Sequence, residues 1–337
     1  MTLEDLDSPV VSVDTATAET TPKKKFRKRG LVTKWLAAAW LIALTFTAIG
    51  ASWLPFVNSS CDQFANEKEC FTHLKPNARL IERPPAWAGF SDSARPVVPG
   101  TPPRVGWFGT DTNGFDIFSR SIFGARNSLL IGSLSILFGL VIGGALGLIA
   151  GYFGKRTDKI IDTTMNVFLA FPALLLAIFI VGFFGSSGTE EAENRSIGPI
   201  IFALVILSIP PIARLVRANT MVYAQREFVT ASRSLGARNG RIIVREILPN
   251  VMPAMITFAL TGMAILIVAE GALAYLGLSV NAPTPTWGSM IFSGQQKLET
   301  AWWIAMMPAA MLFITVLAIN LLGDALAERF RIREAIG

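Results

Sequence analysis

The chain holds a single histidine, His73, in 337 residues. A zinc protease of the H-E-x-x-H type needs two on one helix face, so that class is excluded. An intramembrane Ser/His protease is disfavoured as well, because His73 lies in a polar segment rather than in an apolar run. A Cys/Cys/His metal site built on Cys61, Cys70 and His73 would need a fourth ligand and better spacing. No G-x-x-x-x-G-K-[ST] phosphate loop is present: Gly154-Lys155-Arg156 fails at the upstream glycine and at the hydroxyl after the lysine. The chain is therefore read as binding no ATP, metal or other cofactor. Charge is sparse too, at 16% of residues, and almost none of it falls inside the apolar runs. A carrier driven by protons would place several carboxylates or histidines there, so the energy for any transport must come from elsewhere.

Apolar residues are abundant, at 52%, and the mean hydropathy is positive. This is the composition of a polytopic membrane protein. Six runs meet the requirement of about twenty residues for a spanning helix: 35–57, 128–153, 160–184, 197–218, 251–278 and 302–322. With the N-terminus inside, most Lys and Arg fall in cytoplasmic segments. The short outer loops near 190–195 and 281–300 carry only Arg195 and Lys297. The net charge of +6 thus reflects orientation and contact with anionic lipid rather than a nucleic-acid partner, and the basic block at 23–29 fits that reading. Residues 1–22 lack apolar periodicity and read as disordered.

Between the first two runs lies a Pro-rich outer segment, 58–126. It holds both cysteines, and an oxidising outer face favours a Cys61–Cys70 disulfide over two free thiols. The segment ends on Gly109-Thr110-Asp111, Gly114, Asp116, Ser119-Arg120 and Gly124-Ala125-Arg126, a turn followed by an amphipathic interfacial helix. In the second run Ser135, Gly139, Gly143, Gly147 and Gly151 stand four apart, a small-residue ladder that lets another helix approach closely. Gly132 is off the ladder and should tolerate a side chain better. Pro172, Pro210, Pro211, Pro253 and Pro308 interrupt later runs, either as hinges or as shapers of the bundle. Asp158 and Asp162 favour the N-terminus of the third span. Glu270 is the clearest ionisable residue within a span, and so a candidate intramembrane polar site; a structural hydrogen bond or ion pair is the competing role.

The segment 224–249 is polar and Arg-rich between two apolar runs, which places it in the cytoplasm. Read as a helix from Ala224, it puts Ala224, Phe228, Ala231 and Leu235 on one stripe. Gly236 supplies the stop, and residues 242–248 form a second short helix that Pro249 closes. Such a helix suits a groove on a partner; amphipathicity alone equally suits the inner leaflet.

The run Thr230-Ala231-Ser232-x-x-x-Gly236-Ala237, followed by Leu248-Pro249, resembles the EAA loop of ABC importer permeases, with Thr230 in place of the usual Glu and Ser232 in place of the second Ala. Residues 109–126 resemble the GTD…G-R-D…SR…GAR signature of dipeptide and oligopeptide permeases, with Phe115 where that branch has Arg. Glu270 to Gly277 and Trp287-Gly288 are similar to further runs of the same branch. The resemblance, to the C-type subunit of the dipeptide/oligopeptide/nickel branch, implies an all-α polytopic protein of six transmembrane helices with an ABC type I importer core. It implies a cytoplasmic tail at 1–33, a first helix at 34–57, a five-helix core at 127–324 containing a coupling loop at 219–250, and a cytoplasmic tail at 325–337. Phe228, Thr230, Ala231, Ser232, Leu235, Gly236, Ala237, Leu248 and Pro249 would then contact the ATPase. The implied function is one non-catalytic membrane half of a peptide importer in a prokaryotic cell membrane. Its partners would be a second homologous permease, ABC ATPases and an outer substrate-binding protein. A nickel or oligosaccharide importer of the same branch is the near alternative, and an ion-driven carrier the distant one.

Overall fold

The computed structural model describes residues 29–54, 57, 81–88, 107–185, 197–278, 280 and 284–334. The expected Cys61–Cys70 pair and His73 lie outside them. Among the described residues there are ten α-helices and no strand beyond the isolated bridge Thr110–Asp116. The helices are α1 (Arg29–Ile49), α2 (Ile117–Phe153), α3 (Lys155–Ala170), α4 (Ala173–Gly185), α5 (Ile197–Ala224), α6 (Glu227–Ser234), α7 (Asn239–Ile242), α8 (Leu248–Tyr275), α9 (Trp287–Gly294) and α10 (Trp303–Glu334). Five uninterrupted stretches are long and apolar enough to cross a membrane: Val32–Ile49, Ile117–Phe153, Ile197–Ala224, Asn239–Tyr275 and Trp303–Phe330. A bent pair, α3 with α4, makes a sixth if it counts as one span.

That pair occupies the expected span at 160–184, which Pro172 was expected to interrupt. Its halves meet at 87°. Pro172 has no N–H to donate back, and its ring forces the preceding residue out of the helical region. Phe171 is accordingly extended, at φ −81° and ψ 136°. The other prolines do not break their helices: Pro210 and Pro211 lie inside α5, Pro253 inside α8 and Pro308 inside α10.

Several boundaries also move. α1 ends at Ile49, short of the expected residue 57, and a turn at Gly50 follows. α2 begins at Ile117, so the expected interfacial helix is simply its first part. Nothing between Ile117 and Phe153 terminates a helix, and Asp116 caps it by accepting the Ser119 N–H at 2.8 Å. α5 and α10 likewise outrun their apolar segments. The presumed outer loop at 281–300 contains α9, opened by a capping box in which Thr286 and Ser289 satisfy each other's backbone N–H.

The glycine ladder is the seam between α2 and α5. A Cβ on Gly143 would sit 2.8 Å from the Ile209 carbonyl oxygen. At Gly147 it would be 2.6 Å from that of Ala213, and at Gly151 2.7 Å from that of Arg217; at Gly139 it would run into the Ser208 hydroxyl. Gly132, off the ladder, is crowded too, but by a side chain: a Cβ there would lie 2.7 Å from Ile267 Cγ1 on α8. Around this seam Ile131, Ile136, Leu204, Ile212, Val216, Val251 and Met255 form the main apolar core. A second core joins α1, α2, α8, α9 and α10 through Leu44, Ile122, Ile267, Trp287 and Ile319. α1 is further tied to α10 by the Trp40 indole N–H, which donates to Thr315 Oγ1 at 3.1 Å, and by a Lys34–Glu328 ion pair.

The signature at 109–126 folds as an anchoring turn. Asp111 Oδ1 accepts the N–H groups of Asn113 and Phe115 at 2.8 and 2.9 Å. Its Oδ2 pairs with Arg120 at 3.3 Å. The Phe115 ring lies 4.4 Å beneath the Arg120 guanidinium, so the residue that departs from the family pattern makes a cation–π contact. Burial raises the Asp116 carboxyl from 3.8 to about 6, against the two backbone N–H bonds that lower it. A raised folded-state value means the folded chain holds its proton where the unfolded chain has lost it. This turn is therefore expected to weaken as pH rises from about 4 through about 6. Asp116→Asn keeps a capping oxygen and should flatten that dependence. Thermal denaturation of the solubilised chain at pH 5 and pH 7 checks it; an unchanged slope in the variant would refute the assignment.

Candidate functional site

The loop joining α5 to α8 is organised by a few side chains. α5 runs past its apolar stretch to Ala224, so Ala224 belongs to α5 and not to the loop helix. The chain turns at Gln225 and Arg226, and α6 begins at Glu227, three residues later than expected. Glu227 in its first turn and Arg233 in its last suit the helix dipole. Val229, 1% exposed, is its one buried residue and joins Ile242 and Ile247 in the main core. This inward anchor fixes which face of α6 looks outward.

The outward face carries Phe228, Ala231 and Leu235, the predicted stripe. Phe228 is 38% exposed and Leu235 89%. Thr230 is also exposed, whereas Ser232 and Ala237 are half-buried. The same loop exposes the side chains of Arg226, Arg233, Arg238, Arg241 and Arg245. The loop thus presents exposed apolar side chains together with five exposed arginines and the exposed Glu227.

The end of α6 is fixed by a Schellman closure. The Gly236 N–H donates to the Arg233 carbonyl at 3.0 Å and the Ala237 N–H to that of Ser232 at 3.1 Å. Gly236 sits at φ +77° with open space around it, so conformation rather than crowding demands glycine. Tyr152, in the last turn of α2, holds the loop from above. Its hydroxyl donates to Asn239 Oδ1 at 2.9 Å and accepts from Arg233 Nη2 at 3.3 Å. Tyr152 and Val229 escaped the sequence reading; the Tyr152 signal, a lone aromatic at the end of an apolar run, was weak.

Pro249 does not close a helix, contrary to expectation. Residues Ile243–Ile247 form one π-helical turn, and the Leu248 N–H reaches back to the Ile243 carbonyl. The widened turn accommodates the proline ring, which would otherwise strike the carbonyl four residues earlier. The helix therefore runs from Asn239 to Tyr275. Leu248 is half-buried and Pro249 exposed, both at the root of α8 rather than on the stripe of α6.

Glu270 lies elsewhere and is fully buried. The Ser128 hydroxyl on α2 donates to its Oε2 at 3.4 Å and accepts the Trp287 N–H of α9 at 3.2 Å. A Cβ on Gly288 would come within 3.4 Å of Oε1. The Ser128 hydroxyl thus links the Glu270 carboxyl of α8 to the backbone of α9.

The fold is a bundle of apolar helices long enough to cross a membrane, with the short helix α6 on a polar loop. Residues 143–333 match the family described as the binding-protein-dependent transport system inner membrane component, and the chain belongs to it. It is 39% identical over 222 residues to the dipeptide transport system permease protein DppC of Alkalihalophilus pseudofirmus, covering 66% of this chain and 70% of that one. It is 39% identical over 227 residues to the glutathione transport system permease protein GsiD of Pectobacterium atrosepticum, covering 67% and 72%. Its fold is similar to that of a chain in the inward-facing MetNI methionine ABC transporter, with a TM-score of 0.51, 20% identity, and 62% of this chain and 95% of that chain covered.

Proposed function

We propose that this chain is one transmembrane half of an ATP-driven importer of short peptides. The observation that carries the reading is the outward peg of α6: Phe228, Ala231 and Leu235 exposed on an Arg-rich loop and held by Val229, Gly236 and Tyr152. A stripe this short is a poor lipid anchor and a good fit for a groove on a soluble subunit. ATP is bound and hydrolysed by separate ATPase chains docked there, and this chain is non-catalytic. A second homologous permease completes the pathway, and a substrate-binding protein delivers substrate from outside. Both termini are cytoplasmic and residues 58–126 lie outside in this reading, which the sparse Lys and Arg of the short outer loops support. The substrate class rests on the named relatives, which transport a dipeptide and glutathione, both short peptides.

The test is uptake in liposomes containing this chain with the permease, ATPase and binding-protein subunits encoded beside it. Labelled dipeptide or glutathione should accumulate only with internal-face ATP, and ionophores should leave uptake unchanged. Uptake that collapses with an ionophore and ignores ATP would identify an ion-driven carrier instead.

A further inference from the structure

The geometry points to a polar latch between α3 and α5, through which movement of the coupling loop reaches the bent pair α3–α4. This rests on the reading of α6 as the ATPase contact.

α3 has almost no apolar hold on the bundle. Met165 is its one buried residue, while Ile160, Val167, Phe168 and Leu169 are exposed. Its polar face meets α5 instead. Asp158, Asp162 and Asn166 stand four apart and share one face. Arg214 and Arg217, three apart on α5, face them. Arg217 grips Asp158 with a two-pronged contact, one prong from Nε and one from Nη2 to Oδ2 at 2.7 Å. Its Nη1 lies 3.9 Å from Asp162 Oδ1. Arg214 donates to Asn166 Oδ1, and Asn166 Nδ2 donates to Asp162 Oδ2 at 3.1 Å. Five side chains thus form one connected row along the seam.

Both ends of α3 are bends. At one end Gly154 has φ +60° and Lys155 φ +48°, with nothing near the position of a Gly154 Cβ. At the other is the 87° break before α4. α5 is fixed by contrast. The last rung of the ladder, Gly151, presses on the backbone of Arg217 and on Thr220, so the latch arginine itself is seated on α2. From Arg217 the helix continues without interruption to Ala224, one short turn from α6. α2, α5 and the loop therefore make one body, and α3 is a lever hung on it by charge. A forked guanidinium–carboxylate pair fixes direction as well as distance, so a rotation of α5 is imposed on α3 rather than dissipated by sliding.

The test uses the complete reconstituted complex and reads substrate transported per ATP hydrolysed. Arg217→Asp is expected to keep the ATPase subunits bound and hydrolysis running while transport per ATP falls about tenfold. Adding Asp158→Arg rebuilds the pair with reversed sign and should recover most of the loss. A staple with no part in transmission would instead lower yield, hydrolysis and transport together, which overturns the inference. So would wild-type transport per ATP in Arg217→Asp, or a double variant no better than the worse single one. Should Arg217→Asp fail to accumulate, Arg217→Lys removes the fork but keeps the charge, and unchanged transport per ATP in it is equally fatal. A wild-type complex whose hydrolysis ignores substrate and binding protein would refute the importer reading itself, and the latch with it.

Discussion

Gly147→Leu is expected to abolish accumulation of the folded chain in the membrane, whereas Gly182→Leu should leave the yield of this chain near wild type. At Gly147 the first added carbon already lies 2.6 Å from the Ala213 carbonyl oxygen and 2.9 Å from the Arg217 nitrogen. Both are backbone atoms of α5, so no rotamer change relieves the clash. Overfilling a packed site costs about 1–3 kcal/mol even where side chains yield. Here two helix axes must separate along a seam four glycines long. A Cβ at Gly182 on α4 meets nothing within 4 Å. Gly132→Leu should fall between them, because its neighbour is the Ile267 side chain, which has some freedom to move. Fluorescence-detected size exclusion of tagged chains ranks the three, and equal yields for Gly147→Leu and Gly182→Leu would show the seam to be incidental.

Phe228→Asp is expected to abolish substrate-stimulated ATP hydrolysis in the assembled complex while the permease remains folded. Phe228 is partly exposed and makes no part of the buried core, so the fold has little reason to object. In a partner's apolar groove, an unpaired carboxylate costs several kcal/mol, on the order of 5, when fully desolvated. Gly236→Val should have a similar outcome by another route. Its φ of +77° is a strained conformation for a β-branched residue, so the Schellman closure opens and the peg loses its direction. Pull-down of the ATPase subunits, run beside the hydrolysis assay, separates lost docking from lost signalling. If both variants bind and couple like wild type, α6 is an ordinary surface helix.

Spans were legible because their signal is collective. Some twenty apolar residues in a row survive any local exception, and four glycines at a fixed interval announce a close approach without naming the partner. Elements that hinge on one residue were not. Pro172 breaks its helix while Pro210, Pro211, Pro253 and Pro308 do not. The sequence shows the same missing N–H in each case, and only the surroundings decide how the chain responds. α6 was visible as an amphipathic pattern, yet its true anchor, Val229, sits next to Phe228 and off the predicted stripe. The π-turn before Pro249 was hidden for a similar reason: widening one turn is a local compromise that no composition encodes. Glu270 was noticed by its charge, but its partner Ser128, which also accepts the Trp287 N–H of α9, comes from far along the chain.

α2 is built as a beam. Its 37 uninterrupted residues amount to about 55 Å at the rise of an α-helix, well beyond the roughly 30 Å of hydrocarbon. The turn around Asp116 grips one end and the loop contacts of Tyr152 the other. Over such a length a tilt of about 5° displaces one end by about 5 Å relative to the other. The leverage runs in both directions: an event too small to see at one face of the membrane arrives at the other as the width of a helical turn.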